Sequence, residues 1–441
     1  MSSDIAEMAR SSGIVGAGGA GFPTHVKLSA KVDTYIVNAA ECEPLLRVDQ
    51  QLMQKYPEKL ITGLQLGMKA TGAKRGIIAI KRKYKSAIKK VKQAIKTDSR
   101  LEIFLLEDVY PAGDEHVLVY EALGKTIPES GLPLDIGAVV NNVYTLINLA
   151  DASEGKSIVS RYVTVTGAVK KPVTMDFPIG TSILDTIKAA GGATIDNFEV
   201  LINGPMMGSL IDPKKPITKL TSGVIVLPED HFVIRMKNER ISSKVIVTKA
   251  ACIRCQLCTE VCPRFLLGHQ LYPDKVMRGI AWGAPERPEY MTGTFLCVEC
   301  GACTYYGCPM GLDPCKMMTE VKGQLRVEGL KNTHNRKVLS IHPEREYRKL
   351  PVKRLMSRLD LLNYDNECPI RKRKLQIREV SIPLKQHIGD PAIPIVKVGE
   401  TVKKGVLIGK IPDGSLGAVI HASISGIIRH IGQEIVIEKT K

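Results

Sequence analysis

The sequence lacks long apolar runs. Its most apolar segments, such as residues 76–80 (GIIAI) and 224–228 (VIVLP), have the length of a strand. A transmembrane helix needs about 20 predominantly apolar residues. We therefore expect no membrane span. The polar N-terminus also gives no sign of a secretion signal, and so a reducing, cytoplasmic location is expected.

Aromatic residues are scarce as well. They form 5% of the 441 residues, whereas the formal net charge is +17. Such a charge can attract nucleic acid, a membrane surface or an acidic protein. Much of it lies in residues 331–374, where aromatic side chains that could stack on bases are nearly absent, so we expect no nucleic-acid binding. This basic stretch is interpreted as a solvated linker, or as a docking surface for an acidic protein.

Cysteine, in contrast, is concentrated. Two runs, each followed by proline, hold eight of the 11 cysteines: Cys252, Cys255, Cys258 and Cys262, then Cys297, Cys300, Cys303 and Cys308. A disulfide framework is typical of short secreted chains, and zinc sites usually combine two separated C-x2-C pairs. The first run has the C-x2-C-x2-C-x3-C-P spacing of ferredoxins that hold two 4Fe-4S clusters. The second run has one extra residue in its last gap.

The fourth cysteine of each ferredoxin run ligates the cluster of the other run. This predicts one [4Fe-4S] cluster on Cys252, Cys255, Cys258 and Cys308, and a second on Cys297, Cys300, Cys303 and Cys262. Cys315 and Cys368 lie outside both runs and are predicted to be free. Cys42 is interpreted as a small buried residue. Two clusters held in this way would form a path for electrons.

Apolar patterning divides the chain into five segments. In residues 1–155, strands such as TYIVNA and RGIIAIK alternate with helical patterns, which predicts an α/β domain with a largely parallel sheet. Residues 156–235 read as a small α+β module. Residues 245–330 hold the cysteine runs, 331–380 form the basic linker, and 381–441 consist of short strands and glycine turns. The fold class is therefore multidomain α/β.

The first domain contains a glycine motif that is easily misread. Residues 16–21 (GAGGAG) satisfy G-x-G-x-x-G, and Glu41 follows about twenty residues later. A dinucleotide-binding fingerprint must follow a buried strand, whereas the residues before this motif are polar and helix-like. We therefore reject a Rossmann interpretation. What remains is a loop whose backbone can approach a phosphate or a flat ring.

Four segments carry a resemblance to known families: GAGGAGFPTHVK, VNAAECEP, YPAGDEHVL and NNVYTL. Their order and spacing resemble the NADH- and FMN-binding flavoprotein subunit of respiratory complex I and the C subunit of Rnf-type complexes. A resemblance over essentially the whole chain is to the cobalamin reductases of propanediol-utilisation microcompartments. That family shares both cysteine runs, including the longer last gap, and carries its barrel-sandwich domain at the C-terminus.

The resemblance implies four folded units. They are a complex I flavoprotein-like FMN/NADH domain, an SLBB-like β-grasp module that includes NGPMMG, a two-cluster ferredoxin-like α-helical domain, and a C-terminal barrel-sandwich hybrid. The last unit is similar to lipoyl carrier domains, but its hairpin, residues 412–417 (PDGSLG), has no lysine to modify. A structural or docking role is expected for it. His421 is interpreted as a packed or surface strand residue.

The resemblance also implies site residues. Glu41 and Glu43 carry over as catalytic residues beside the flavin and nicotinamide. The expected cofactor-binding residues are Gly18, Gly19, Gly21, Lys27, Asn38, Glu41, Glu43, Gly113, Glu115, Asn141 and Asn142. The implied activity is NADH-driven reduction of a corrinoid cobalt, from cob(III)alamin to cob(II)alamin and on to cob(I)alamin, through FMN and two clusters.

Implied partners are a corrinoid substrate, a corrinoid adenosyltransferase and a microcompartment shell protein. The implied location is the cytoplasm, in or on a bacterial microcompartment. Two alternatives stay open: an Rnf-like NADH:ferredoxin electron-transfer subunit, and a non-catalytic iron-sulfur scaffold protein.

Overall fold

The computed structural model describes residues 2–372 and 377–440. Its first domain is a four-stranded parallel sheet flanked by helices. The strands are β1 (Thr34–Ala39), β2 (Arg75–Lys81), β3 (Leu101–Leu106) and β5 (Ala138–Asn142), with a separate two-residue strand β4 (Val109–Tyr110). The helices are α1 (Ser2–Ser11), α2 (Thr24–Leu28), α3 (Val48–Lys55), α4 (Pro57–Thr71), α5 (Lys85–Ala94), α6 (Glu115–Leu123) and α7 (Val143–Ser153).

The strand order of this sheet fixes where a ligand can bind. The order is β3-β2-β1-β5, and all three pairings are parallel. The chain runs outward from β1 to β3 and then returns to place β5 on the other side of β1. Ligands of open α/β sheets bind outside the carboxyl ends of the strands at such a reversal. The predicted parallel sheet is confirmed, and the glycine motif follows helix α1 instead of a strand.

The second domain is a five-stranded mixed sheet with one helix packed on it. Its elements are β6 (Ser160–Gly167), β7 (Val173–Pro178), α8 (Ile183–Ala189), β8 (Phe198–Ile202), β9 (Ser209–Leu210) and β10 (Gly223–Pro228), followed by α9 (Phe232–Asn238). The strand order is β7-β6-β10-β8-β9, in which only β6 and β10 are parallel. Ser182 caps α8 by accepting a hydrogen bond from Asp185 N. Ile183 and Ile187 then pack onto the sheet.

The third domain is helical. Its helices are α10 (Ile241–Ala251), α11 (Leu257–Glu260), α12 (Pro263–Leu266), α13 (Pro273–Trp282), α14 (Pro288–Thr292) and α15 (Pro314–Val327). The cysteines lie in the loops and first turns between these helices. In the part of the chain that the structure describes, no helix is both long enough and apolar enough to cross a bilayer.

Part of the basic segment is more ordered than the solvated linker that we expected. Its strand β11 (Leu350–Pro351) pairs with β4 of the first domain, and helix α16 (Val352–Arg358) buries Leu355. Basic side chains in this segment form ion pairs with acidic residues from elsewhere: Arg336 with Glu129, Arg345 with Glu121, Arg348 with Glu260, and Lys349 with Glu107 and Glu121. These acidic partners are distant in sequence, which is why composition alone did not reveal them. Arg373 and Lys374 of the basic stretch lie outside the described residues.

The C-terminal domain consists of two small sheets. Its strands are β12 (Glu379–Pro383), β13 (Ile393–Pro394), β14 (Thr401–Val402), β15 (Leu407–Lys410), β16 (Ile420–His421), β17 (Gly426–Ile431) and β18 (Glu434–Glu438). They form the sheets β12-β18-β17-β14 and β13-β15-β16. His421 is a buried strand residue. Buried Lys219 of the second domain donates to the carbonyls of Gly13 and Val419, each at 2.7 Å, and so joins three domains.

Candidate functional site

A cavity of about 390 Å³ lies at the carboxyl ends of β1 and β5. Its volume is in the range of cofactor sites. The first domain supplies most of its lining through the glycine loop, the segment after β1 and the segment after β4. The second and third domains complete it with Arg161, Asn203, Met207, Leu220, Ser222, Val298 and Cys300. The cavity therefore lies where the strand order predicts a ligand, and three domains enclose it.

The cavity brings together seven of the predicted cofactor-binding residues: Gly18, Gly19, Asn38, Glu41, Glu43, Gly113 and Asn142. The other four, Gly21, Lys27, Glu115 and Asn141, are not part of its lining. Lys27 Nζ donates to Glu115 Oε1 at 2.9 Å and to the Val140 carbonyl at 3.0 Å. Lys27 and Glu115 therefore pair with each other beside β5. Two oppositely charged residues that are far apart in sequence can form a structural ion pair as readily as a binding site.

The glycine loop is held from both sides. Ala17 N donates to Thr145 Oγ1 at 2.9 Å, and the guanidinium of Arg161 donates to the Ala17 carbonyl at 2.8 Å. A Cβ added at Gly19 would meet no atom within 4 Å, whereas one at Gly21 would lie 2.8 Å from a methyl group of Leu220. Gly21 also has φ +74°, a conformation that favours glycine. Gly21 is thus needed for packing, and Gly19 leaves the loop backbone open to the cavity.

Asparagine amides tie together the edges of the cavity. Asn38 donates to the Gly113 carbonyl at 2.7 Å. Asn142 donates to Asp49 at 2.6 Å and also caps α7 by accepting from Tyr144 N at 2.8 Å. The side chains of both residues therefore stabilise the cavity wall through hydrogen bonds within the protein.

The two predicted catalytic glutamates hold loops in place. Glu41 accepts from the backbone N–H groups of Asp49 at 2.8 Å and Gln50 at 3.1 Å, in the first turn of α3. Burial, reinforced by repulsion from the Asp49 carboxylate, raises the pKa of Glu41. Glu43 accepts from the N–H groups of Met206 at 3.0 Å and Met207 at 2.9 Å, in the NGPMMG segment. Burial raises the pKa of Glu43 to about 7.

These shifts mean that both carboxyl groups hold protons more firmly than free glutamate does. Cys42, between them, also lines the cavity, and burial raises the pKa of its thiol to about 11. A small buried residue was expected there, whereas Cys42 is only partly buried. Cys368 is buried far along the chain and donates a weak hydrogen bond to the Asn366 carbonyl at 3.6 Å.

Sequence reasoning missed the cation of the cavity, Arg161. This residue is 3% exposed and lies on β6 of the second domain. Its guanidinium stacks over the ring of Tyr144 at 4.6 Å and donates to the carbonyls of Thr221 and Ala17. Its Nη1 has no hydrogen-bond partner among the described residues. A lone arginine within the buried strand SRYVTVTG was the available signal, because a buried charge requires a partner.

The cysteines form two groups, as the ferredoxin spacing predicts. Cys252, Cys255, Cys258 and Cys308 line a hollow of about 30 Å³ that reaches the surface at Cys255, and we name them the exposed cysteine group. Cys262, Cys297, Cys300 and Cys303 line a second hollow of about 10 Å³, and we name them the buried cysteine group. In the described residues, no three His, Cys, Asp or Glu side chains are arranged to hold a single metal ion. Each group is instead spread around its hollow.

Both cysteine loops share one backbone conformation. The residues that flank the second cysteine of each run have positive φ: Arg254 at 57° and Gln256 at 65°, then Glu299 at 58° and Gly301 at 74°. Alternation of left- and right-handed residues turns successive N–H groups inward and forms the anion-binding concavity found at many iron-sulfur sites. In the second loop, Glu299 N donates to Cys297 Sγ at 3.3 Å. Beyond that loop, Leu312 N donates to Cys308 Sγ at 3.3 Å. The loops therefore fit anionic thiolate clusters.

The longer gap in the second cysteine run has a structural explanation. The chain after Cys258 continues in the short α-helix α11, whereas residues Cys303–Gly307 form a single π-helical turn. A π-turn accommodates one residue more than an α-turn. Cys308 thereby still reaches the exposed cysteine group.

The cavity and the buried cysteine group share a wall. Val298 and Cys300 line both the cavity and the second hollow. Tyr110, which also lines the cavity, donates its hydroxyl to the Cys300 carbonyl at 2.6 Å. Arg264 beside the hollow donates to Asp114 beside the cavity at 2.9 Å. The cavity therefore adjoins the buried group, whereas the exposed group opens to the surface at Cys255.

Four family models match consecutive parts of the chain. The Nuo51 FMN-binding domain family matches residues 9–151, and the SLBB domain family matches residues 162–209. The 4Fe-4S dicluster domain family matches residues 251–313, and the RnfC barrel sandwich hybrid domain family matches residues 362–441. The chain thus carries a flavin-binding domain and an iron-sulfur dicluster domain, and the predicted fold class is confirmed.

Comparison with individual proteins extends over the whole chain. Cobalamin reductase PduS of Citrobacter freundii is 43% identical over 437 residues, which cover 98% of this chain and 95% of that protein. A subunit of the Na(+)-translocating ferredoxin:NAD(+) oxidoreductase complex of Acetobacterium woodii is 39% identical over 266 residues, covering 59% of this chain and 57% of that protein. A chain of an NAD+-reducing [NiFe]-hydrogenase crystal structure superimposes with a TM-score of 0.50 at 20% identity, covering 76% of this chain and 68% of that chain, and shares the fold.

Proposed function

The chain belongs to the cobalamin reductase PduS family, and from this premise we propose that it reduces the cobalt of a corrinoid with electrons from NADH. The proposal assigns FMN to the cavity and one [4Fe-4S] cluster to each cysteine group. A bound flavin can take up two electrons as a hydride and release them singly, and bound clusters carry single electrons. The product sequence is cob(III)alamin to cob(II)alamin and then to cob(I)alamin.

One observation carries the proposal: the cavity and the buried cysteine group share a wall. Tyr110 touches both sites, because its ring lines the cavity while its hydroxyl holds the Cys300 carbonyl at 2.6 Å. This arrangement supports direct transfer of electrons out of the cavity. A scaffold protein whose clusters only stabilised the fold would have no need for it.

Different residues in and around the cavity have different roles in the proposed flavin site. The loop backbone at Gly19 is open for close approach, and the unpartnered Nη1 of Arg161 is available for an anionic oxygen. Glu41 and Glu43, with raised pKa values, keep protons close to the cavity near neutral pH. We propose that they hold these protons on their carboxyl oxygens while the loops stay anchored. The ion pair of Lys27 and Glu115 supports β5, because Lys27 also donates to the Val140 carbonyl of that strand.

In this proposal, electrons leave the protein from the exposed cysteine group. Cys255 reaches the surface, with Ile253 and Met310 exposed beside it and Arg254 stacked over Trp282 at 5.2 Å. This face is where we propose that the corrinoid, free or held by an adenosyltransferase, receives electrons. A shell protein as partner and a cytoplasmic microcompartment as location belong to the same proposal. Because Arg336, Arg345, Arg348 and Lys349 are paired within the chain, the basic segment offers less free charge for docking than its composition suggests.

Two variants test the proposed order of sites. Cys258→Ala removes a ligand of the exposed group, and Cys300→Ala removes a ligand of the buried group. Under anaerobic conditions, NADH should bleach the flavin in both variants, and neither should reduce cob(III)alamin. The Cys258→Ala protein should still show an NADH-reducible cluster by EPR, whereas the remaining cluster of Cys300→Ala should reduce only slowly.

The opposite EPR pattern would contradict the order of sites. Zinc in place of iron in anaerobically prepared protein would contradict the cluster assignment itself.

A further inference from the structure

A ninth cysteine lies beside the buried cysteine group. Cys315 is in the first turn of α15, outside both sequence runs. Its N–H donates to Thr304 Oγ1 at 2.9 Å, and that hydroxyl donates to Asp313 at 2.6 Å. Asp313 in turn caps α15 by accepting from Lys316 N at 3.0 Å. These bonds fix Cys315 next to Cys303, the residue directly before Thr304.

The thiol of Cys315 faces the members of the buried group. It lines the same hollow as Cys262, Cys297, Cys300 and Cys303. The buried group therefore has five thiols for the four corners of one cubane. Within residues 2–372 and 377–440, the hollow of the exposed group is lined by four cysteines. The two groups thus differ by one available ligand.

We propose that Cys315 is a reserve ligand of the buried cluster, able to take the corner held by Cys303 or Cys297. The inference rests on the proposed assignment of a cluster to the buried group. In the exchange, the iron–sulfur bond to Cys303 breaks and one to Cys315 forms. The proton of the Cys315 thiol passes to the Cys303 sulfur, and no electron is transferred.

The position of Cys315 favours this role. It lies at the N-terminus of a 14-residue helix, whose dipole stabilises a thiolate. While Cys303 is the ligand, Cys315 can donate its S–H to cluster sulfur, and hydrogen bonds to sulfur raise the reduction potential of a cluster. The same residue therefore acts as a donor in one state and as a ligand in the other.

Iron content provides the test, with variants chosen from one group. Wild-type protein should hold about eight irons per chain. The bond to Thr304 holds Cys315 beside Cys303 and not beside Cys300, so Cys300→Ala should fall to about four irons. Cys303→Ala should stay near the wild-type value because Cys315 takes the open corner. The double variant Cys303→Ala/Cys315→Ala should fall to about four again. Cys315→Ala alone should keep both clusters and lower the midpoint potential of the buried one.

Two results would overturn the inference while leaving the proposed function intact. One is a Cys303→Ala protein that loses as much iron as Cys300→Ala. The other is a double variant that keeps wild-type iron. If Cys303→Ala does not fold, an unchanged midpoint potential in Cys315→Ala overturns it instead. Wild-type protein without iron would refute the cluster assignment, and the reserve ligand with it.

Discussion

Replacement of Gly19 by valine separates cofactor binding from folding. A Cβ at Gly19 meets no protein atom within 4 Å, and its φ lies outside the left-handed range. The added side chain therefore costs the fold little, and we expect a change in the free energy of unfolding within about 0.5 kcal/mol. Because Gly19 lines the cavity, a side chain at this position should hinder a flavin that approaches the loop backbone.

The size of the effect follows from overpacking. Extra methyl groups in a well-packed contact typically cost about 1 to 3 kcal/mol. Since 1.4 kcal/mol is a factor of ten, the dissociation constant of FMN should rise by about 5- to 150-fold. Gly21→Val should behave differently, because its Cβ would lie 2.8 Å from Leu220 and its φ is +74°. We expect that variant to lose stability as well as FMN.

The assay is a fluorescence titration of flavin-free protein with FMN, with thermal unfolding measured on the same samples. Gly323→Val is the matched control, because Gly323 also has no atom within 4 Å of its Cβ position and lies at an exposed position of α15, outside the cavity lining. It should bind FMN as the wild type does. An unchanged dissociation constant in Gly19→Val, with the fold intact, would refute placement of the flavin against this loop.

Three further predictions concern other parts of the chain. Arg161→Gln should weaken FMN binding by about 10- to 150-fold, the equivalent of one charged hydrogen bond of about 1.5 to 3 kcal/mol. Arg161→Lys should keep part of the affinity for FMN in the same titration. Burial lowers the pKa of Lys219 from 10.5 to about 7. Between these two pH values, the unfolded chain binds more protons than the folded chain does. The free energy of unfolding should therefore rise with pH by at most about 1.4 kcal/mol per pH unit. The free energy of unfolding of Lys219→Met, measured with denaturant across the same pH range, should lack this rise. If the variant and the wild type show the same slope with pH, the assignment of this pH dependence to Lys219 is refuted. Glutamates in place of residues 371–374 should blunt the salt dependence of a coupled assay with a corrinoid adenosyltransferase while sparing reduction of a small dye, and a rate indifferent to salt would rule out charge steering.

Sequence spacing was informative where the chemistry is local. Each cysteine loop is set by residues a few positions apart, and so the spacing alone was enough to predict the exposed and buried groups. The same holds for the parallel sheet, because each strand and helix carries its own apolar pattern. Even the extra residue before Cys308 was visible, although its π-turn was not.

Long-range partners were the part that sequence could not provide. Arg161 comes from a different domain than the glycine loop it supports, and Cys315 joins the buried group only because α15 packs there. Lys27 and Glu115 were predicted to bind cofactor, and the fold also pairs them with each other, a contact that their separation in sequence did not reveal. In the basic segment, such pairing removes the charges of Arg336, Arg345, Arg348 and Lys349, which composition counts as free.

Stepwise reduction of the protein and then of a corrinoid tests the central claim most directly. Anaerobic protein with its flavin and clusters would be titrated with NADH, followed by optical and EPR spectra, and then mixed with cob(III)alamin. The account predicts bleaching of the flavin, the appearance of reduced-cluster signals, and formation of cob(II)alamin and then cob(I)alamin as the cluster signals decay. Flavin and clusters that NADH reduces fully but that pass no electrons to cob(III)alamin, while reducing ferredoxin, would contradict it.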